Sequence, residues 1–179
     1  MTRGELFLVS QFKQQPQSEE ISIMASIRSG LIGGFVATLV IAAMMQMKTA
    51  THSLPELHMV TSLSNILGSP GHIAMGWLAH FVLGTFVWGI AYAVLARYLP
   101  GRTYALKGLV FGLILWVAMM LIFMPLTGGG FFAIHRGITV IVATLVLQLV
   151  YGVVLGIVYG WEAPAITPVK VRTHASPRG

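Results

Sequence analysis

The side chains best suited to chemistry in this sequence are histidines, of which there are six. Imidazole can ligate a metal or a haem iron, relay protons or form a hydrogen bond to a quinone. His80 is the sharpest candidate because it lies inside an apolar run, where a polar residue normally faces the interior of a helix bundle or a cavity. A plainer interpretation, a hydrogen bond from His80 to a neighbouring helix, stays open. No HxxxH or HxH spacing occurs, so we expect no metal and no cofactor.

A small set of polar and aromatic residues could form a ligand groove with His80. Gln148 lies in the middle of the last apolar run, where it could select a substrate or form an interhelical hydrogen bond worth about 1 kcal/mol or less. A glycine-rich loop carries a histidine and an arginine that could bind an anion or anchor the following run. The candidate groove residues are Trp77, His80, Thr85, His135, Arg136 and Gln148.

The residue constellations typical of enzymes are absent from this sequence. It has no Asp, no Cys and five Glu, and all the Glu residues lie outside the apolar runs. It contains no GxSxG pattern, no Walker-type loop and no paired carboxylates. The lack of cysteine also excludes disulfides and thiolate chemistry. We therefore expect a protein that is not an enzyme.

Four long apolar segments must position these residues. Hydrophobic residues make up 56% of the chain, charged residues 9%, and the mean hydropathy is +0.82, which would leave a soluble fold too little polar surface. A helix needs roughly 20 residues to cross about 30 Å of hydrocarbon. The sequence therefore predicts an all-α integral membrane protein, a four-helix transmembrane domain over residues 29–161. The transmembrane helices are expected at about 30–47, 73–96, 108–126 and 137–161.

A polar insert separates the first two apolar segments. Residues 53–56 (SLPE) have the pattern of a capping box, and Gly68 to Gly71 supply stop and turn signals. Between them, apolar residues recur on one helical face: Leu57, Val60, Leu63 and Leu67. We expect an amphipathic interfacial helix over about 54–67, lying in the membrane surface. The histidines around it are interpreted as solvated loop residues: His52, His58 and His72.

The Lys and Arg residues predict how the chain is oriented in the membrane. Such residues concentrate in segments kept in the cytoplasm, and with both termini inside, only Lys48 and Arg136 of the eleven fall outside. We expect a multi-pass protein of a bacterial inner membrane with both termini cytoplasmic. This distribution explains the net charge of +6 without nucleic acid, so the expected partner is the lipid bilayer.

Both ends of the chain are polar. Residues 1–28 are expected to form a disordered cytoplasmic segment because they combine many Gln, Ser and Glu residues with few apolar ones. Met24 within this segment is an alternative start. Residues 162–179 are expected to form a disordered, basic cytoplasmic tail.

Two glycine-bearing patterns recur along the chain. Gly30-Leu-Ile-Gly-Gly34 is similar to Gly108-Leu-Val-Phe-Gly112, and Trp88-Gly89 is similar to Tyr151-Gly152. The offset between the first two patterns exceeds the offset between the second two by about the length of the amphipathic segment. The sequence therefore predicts two parallel-repeat helical hairpins, with the amphipathic helix inserted in the first outer loop; chance similarity among apolar helices is the alternative. Internal repeats are a known architecture of membrane proteins.

Small and bulky residues divide the apolar segments into two halves. The expected cytoplasmic halves carry glycines that would let helices approach closely, namely Gly30, Gly34, Gly108, Gly112, Gly152, Gly156 and Gly160. The expected outer halves of the first and third segments carry methionines instead. This distribution predicts a bundle that is tight inside and looser outside, with an outward-facing groove beneath the amphipathic helix. Methionines that only fill irregular packing are the alternative.

Three motifs carry a resemblance to a known family: Gly30-Leu-Ile-Gly-Gly34, Pro55-Glu56-Leu57, and Trp77-x-x-His80-Phe81 followed by Gly84. With these motifs the chain resembles an uncharacterised family of small bacterial four-span integral membrane proteins, over roughly residues 29–161. The resemblance implies the four-span architecture. It implies no active site, because the function of that family is itself unknown.

Three hypotheses about function follow. The first is a non-enzymatic structural or accessory inner-membrane protein that self-associates through its glycine faces or joins a membrane complex. The second is a small oligomeric transporter or ligand-binding protein with an outward-facing groove near His80. The third is an accessory subunit that holds haem, a quinone or a metal. Dependence of function on His80 and Gln148 would favour the second hypothesis, and loss of assembly on replacing Gly152 and Gly156 would favour the first.

Overall fold

A computed structural model of the chain describes the backbone of residues 3–51 and 59–163, with side chains over residues 23–47 and 59–163. Within these ranges all regular structure is helical. The first helix is Arg3–Thr51, and a short insert helix follows at Met59–Ile66. The remaining elements are Ile73–Val82, the π-helical turn Leu83–Trp88, Gly89–Leu95, Tyr104–Ala118, the π-helical turn Met119–Phe123, Met124–Leu126, the 3₁₀ turn Phe131–Ala133 and Ile138–Glu162.

Four helical segments are long and apolar enough to cross a membrane. We call them spans 1 to 4: Ile23–Met47, Ile73–Leu95, Tyr104–Leu126 and Ile138–Glu162. Each has 23 or 25 residues, which at about 1.5 Å per residue is sufficient for about 30 Å of hydrocarbon. The prediction of an all-α protein with four such helices is confirmed.

The first helix begins earlier than the sequence led us to expect. Its backbone is helical from Arg3, inside the segment 1–28 that the composition predicts to be irregular. Residues 5–20 contain many Glu, Gln, Leu and Lys residues, all good helix formers, and lengthening an existing helix costs less than starting one. Met1, Thr2 and the expected tail from residue 164 onward lie outside the described residues.

The third span also begins earlier than expected, at Tyr104 rather than at residue 108. The Thr103 side chain accepts a hydrogen bond of 3.2 Å from the Leu106 amide and so caps the helix. The insert helix is described over Met59–Ile66, within the predicted range of 54–67. The predicted capping box at residues 53–56, and with it His52 and His58, lies outside the described residues.

Glycine backbones touch where span 1 packs against span 2 and where span 3 packs against span 4. A methyl group added at Gly30 would overlap the carbonyl of Gly89, and one added at Gly89 would overlap the carbonyl of Gly30. Gly108 and Gly152 make the same reciprocal contact. The absence of a side chain is what allows each helix pair to approach so closely.

This packing involves all seven glycines that the sequence suggested for helix packing. Gly30, Gly34, Gly108, Gly112, Gly152 and Gly156 are buried, and Gly160 lies against the ring of Tyr104. These glycine faces are therefore occupied by other helices of the same chain. A second copy of the protein would have to bind through another surface.

The insert helix is fixed to the beginning of span 2. The carbonyl of Val60 lies directly against Gly76, where even a methyl group would not fit. The Ser64 hydroxyl donates toward two carbonyl oxygens, that of Ser69 and, at 3.0 Å, that of His72. Val60 and Leu63 are both buried, with 7% of each side chain exposed. The described part of the insert helix is thus packed onto the bundle through its apolar face.

Two apolar clusters fill the bundle. We call the end that carries the insert helix and the loop between spans 3 and 4 the insert side, and the end with the loop between spans 2 and 3 the opposite side. One cluster extends from the middle of the bundle to the opposite side and includes Tyr92, Phe111, Tyr151, Leu155 and Tyr159. The other lies at the insert side and contains Met119, Met120, Met124, Ala133 and Val140.

Candidate ligand-binding cavity

A cavity of about 800 Å³ lies between the four spans, on the insert side of the bundle. The insert helix and all four spans line it. Its size falls within the usual range of small-molecule sites, about 300–1,000 Å³. The residues that line it include Thr38, Met45, Val60, Leu63, Trp77, His80, Trp88, Ala118, Met119, Phe123, Thr144, Gln148 and Tyr151.

Both π-helical turns border this cavity. Leu83, Gly84 and Trp88 come from the turn in span 2, and Met119 and Phe123 come from the turn in span 3. A π-helical turn widens the helix locally and shifts the direction of the side chains that follow it, and such turns occur frequently at functional sites. Here the two turns, one in span 2 and one in span 3, line the same cavity.

Closely packed side chains and backbone form the floor of the cavity, which is its end nearer to the opposite side of the bundle. The Tyr151 hydroxyl donates a hydrogen bond of 2.6 Å to the Gly84 carbonyl. The buried Thr38 hydroxyl donates to the Gly34 carbonyl at 2.7 Å, and a side chain at Gly84 would overlap Thr38. The cavity therefore ends where spans 1, 2 and 4 come into direct contact.

His80 lines the cavity and has one unsatisfied polar atom. Its Nε2 is buried and has no hydrogen-bond partner among the described residues. The imidazole ring meets Trp77 and Phe81 edge-on, with ring centroids 5.9 and 6.0 Å apart. Leaving a buried polar atom unpaired costs about 1–3 kcal/mol. Among the described residues, His80 has no hydrogen bond to a neighbouring helix.

Gln148 is a second polar lining residue whose side chain has only a weak hydrogen-bond partner among the described residues. Its amide nitrogen lies 3.8 Å from the sulfur of Met119, a weak acceptor. The described part of the chain offers this carboxamide no other hydrogen-bond partner. The side chain is half-buried and lines the cavity. It therefore contributes little to holding spans 3 and 4 together and has bonding capacity left for a ligand.

Thr144 is a lining residue that the sequence reasoning missed. Its hydroxyl donates to the Val140 carbonyl at 2.7 Å and accepts from the Trp116 indole nitrogen at 3.3 Å. The hydroxyl is thus satisfied within the bundle. A signal was present, because Thr144 precedes Gln148 by one helical turn and so shares its face. Thr38 and Tyr151 were also missed, and their roles depend on contacts between distant helices.

The structure brings together only half of the predicted groove residues. Trp77, His80 and Gln148 line the cavity. Thr85 is buried and its hydroxyl has no partner within the part of the chain that the structure describes, but it is not a lining residue.

The two predicted residues of the loop between spans 3 and 4 also lie away from the cavity. His135 is exposed, whereas Arg136 donates a hydrogen bond of 2.9 Å to the Thr127 carbonyl. Arg136 thereby braces a loop in which Phe132 and Ala133 have positive φ angles of 52° and 54°. This bracing accounts for Arg136 without an anion.

The charge of the site follows from its lining. Among the described residues, none that lines the cavity is Asp, Glu, Lys or Arg. The described residues also hold no group of three or more side chains suited to a metal ion. The polar groups that converge on the cavity are neutral hydrogen-bonding groups surrounded by apolar side chains.

Fold and cavity together define a class: an all-helical protein with four helices able to cross a membrane, built around an apolar cavity with a few polar groups. Residues 24–167 match a family of unknown function, DUF6789, and the chain belongs to that family. The resemblance drawn from the sequence motifs is confirmed. No curated protein and no solved structure matches the chain.

Proposed function

We propose that this protein is an integral membrane protein that binds a small apolar molecule in the cavity between its spans, without catalysing a reaction. One observation carries the proposal: a cavity of about 800 Å³ that is lined by His80, whose Nε2 is buried and has no partner among the described residues, and by Gln148, whose amide is under-satisfied. Apolar pockets with a few convergent polar groups are the usual form of ligand sites.

The proposal includes an architecture of two parallel-repeat hairpins. Spans 1 and 2 form one hairpin, with the insert helix in its loop, and spans 3 and 4 form the other. The reciprocal contact of Gly30 with Gly89 is repeated by Gly108 with Gly152. In the recurring sequence patterns, Gly30 corresponds to Gly108 and Gly89 corresponds to Gly152. Such agreement between packing contacts and recurring patterns supports an internal repeat.

The proposal also includes an orientation, in a bacterial inner membrane with both termini in the cytoplasm. The loop between spans 2 and 3 carries Arg97 and Arg102, and Lys107 lies in the first turn of span 3. Within the described ranges, only Lys48 and Arg136 are Lys or Arg residues at the insert side. By the positive-inside rule the insert side faces outward, and the cavity would then open toward the outer leaflet.

The ligand-binding hypothesis is favoured over a purely structural role for a specific reason. The glycine faces that suggested self-association are buried within the chain. A structural role would not require a cavity lined by polar side chains that lack a strong partner among the described residues, because such groups reduce stability. Membership of a complex, or an oligomer formed through another surface, is compatible with ligand binding.

The test is quenching of tryptophan fluorescence by a brominated alkyl probe, since Trp77 and Trp88 line the cavity. Protein in lipid nanodiscs is titrated with the methyl ester of a mid-chain dibrominated dodecanoic acid. We expect saturable quenching from Trp77 and Trp88, added to a linear component from probe dissolved in the bilayer near the exposed Trp161.

Two neighbouring variants make the test specific. Ala118→Phe places a ring in the cavity, whereas Val117→Phe places the same ring at a position that is 37% exposed and does not line it. The saturable component should disappear in Ala118→Phe and persist in Val117→Phe. Quenching that is only linear in the wild-type protein, or saturable to the same extent in both variants, would refute the proposal.

A further inference from the structure

We infer that the cavity binds a neutral amphipathic molecule, whose uncharged, oxygen-bearing head group forms hydrogen bonds to His80 and Gln148. This inference rests on the proposed function and specifies the chemical class of the ligand. The apolar body of the ligand packs among the aromatic and methionine side chains of the same cavity.

His80 and Gln148 lie at the same depth in the bundle. The hydrogen bond from Tyr151 to the Gly84 carbonyl fixes the level of span 4 against span 2, and these spans run in the same direction. His80 and Gln148 precede Gly84 and Tyr151, respectively, by about one helical turn, or about 5 Å, toward the insert side. Since both residues also line the same cavity, a ligand there has both polar side chains at one level of the cavity wall.

The head group carries an oxygen because of the atoms it meets. A neutral imidazole has one donor and one acceptor nitrogen, and a carboxamide has donors and an acceptor. Both side chains line the cavity, and both lack a strong partner in the described residues. A carbonyl, ester or hydroxyl oxygen can bond the Gln148 amide, and it can bond the His80 Nε2 when the imidazole turns this buried nitrogen toward the cavity. A pure hydrocarbon would leave both unsatisfied.

The head group is uncharged because nothing in the described lining compensates a charge. No Asp, Glu, Lys or Arg is among those residues. Moving an unpaired ion into an apolar site is far more costly than moving a neutral polar group. Arg136, the cation on the insert side whose side chain is described, is bonded to Thr127 and lies outside the cavity.

The rest of the cavity suits an apolar body of variable shape. Met45, Met59 and Met119 line it together with Trp77, Trp88 and Phe123. Methionine side chains are unbranched and adapt to irregular surfaces. The site therefore selects its ligand through the head group, while the body contributes affinity through burial.

Three probes with the same dibrominated alkyl chain test this inference by tryptophan quenching in nanodiscs: a methyl ester, the free acid and the plain alkane. Measurements at about pH 9 keep the acid ionised. We expect the ester to bind about fivefold more tightly than the alkane, as one net hydrogen bond gives. The carboxylate should bind at least about tenfold more weakly than the ester, because no cation meets it.

Substitutions at the two polar residues assign the preference to this site. His80→Phe should reduce the preference for the ester over the alkane to about one, whereas His80→Gln, which keeps a donor and an acceptor, should retain it. Gln148→Leu should weaken the preference and serves as a second variant if His80→Phe does not fold. A preference that survives both His80→Phe and Gln148→Leu would overturn the assignment.

The possible failures of the two proposals differ. If none of the three probes gives saturable quenching, the proposed ligand-binding function fails. If the ester and the alkane saturate with equal affinity, or the carboxylate binds most tightly, ligand binding stands and the neutral, oxygen-bearing head group is wrong.

Discussion

The hydroxyl group of Tyr151 donates a hydrogen bond of 2.6 Å to the carbonyl oxygen of Gly84, a residue far earlier in the chain. This bond joins span 4 to the π-helical turn of span 2 and forms part of the floor of the cavity. It is buried, so water cannot replace it. It also sets the relative depth of His80 and Gln148, on which the ligand assignment depends.

Removing this hydrogen bond should weaken the bundle. Tyr151→Phe leaves the Gly84 carbonyl without its interhelical donor, and we expect the free energy of unfolding to fall by about 1–3 kcal/mol. Reversible unfolding in detergent, followed by loss of helical circular dichroism, measures the change. Tyr159→Phe is the matched control, because Tyr159 is also buried and its hydroxyl has no hydrogen-bond partner among the described residues. An equal loss in both variants would contradict this role of Tyr151.

The glycine contacts between spans 3 and 4 should differ in their tolerance of alanine. A methyl group at Gly152 would overlap the Gly108 carbonyl, whereas at Gly160 it would meet the Tyr104 ring at 3.0 Å, and that ring can shift. We expect Gly152→Ala to destabilise the protein by about 1–3 kcal/mol and Gly160→Ala by less than about 1 kcal/mol, since alanine also favours the helix. Thermal unfolding of the two variants in the same detergent compares them. Equal melting temperatures would argue against the backbone contact.

The insert helix should detach from span 2 when Gly76 is enlarged. Gly76→Val would push against the Val60 carbonyl and separate the two helices. The chain has no cysteine, so single cysteines report exposure without a background signal. We expect Leu63→Cys, at a buried position, to react with a water-soluble thiol reagent at least about tenfold faster in the Gly76→Val background. Asn65→Cys, at an exposed position that does not line the cavity, should react rapidly with or without Gly76→Val.

The two ends of the bundle should face opposite sides of the membrane. Tyr98 and Ile134 are similarly exposed, at 69% and 67%, in the loops of the opposite side and the insert side respectively. In intact bacterial cells, an impermeant thiol reagent should label Ile134→Cys, and it should label Tyr98→Cys only after the membrane is permeabilised. The reverse pattern would invert the proposed orientation. Labelling of both residues in intact cells would mean that the four spans do not all cross the membrane.

Much of the fold could be predicted from local sequence properties. Four apolar runs of sufficient length predict four helices because a backbone in hydrocarbon must satisfy its own hydrogen bonds. The family resemblance and the glycine spacings could also be seen in the sequence, since they are matters of residue type and period. The beginning of span 3 could have been placed more accurately, because Thr103 is a recognisable N-cap residue.

The candidate site was predictable only in part. His80 and Gln148 stand out because polar residues in an apolar run are unusual, Trp77 lies about one helical turn before His80, and all three line the cavity. Thr85 carried the same signal, whereas His135 and Arg136 were predicted from a loop, and none of the three lines the cavity. Sequence position gives depth along a helix, but the direction of a side chain depends on the helix packed beside it.

The sequence by itself determined that the chain is apolar, that it has four helices able to cross a membrane, and where glycines could bring them close. Hydrophobicity, helix length and residue size are local properties, and they act before any helix meets another. Only the tertiary structure decided that Gly30 contacts Gly89 and that Gly108 contacts Gly152. It also decided that spans 2 and 3 each contain a π-helical turn, and that the Tyr151 hydroxyl forms a hydrogen bond to the Gly84 carbonyl. Those outcomes depend on the relative rotation and depth of helices far apart in the chain, which many mutually compatible contacts set together.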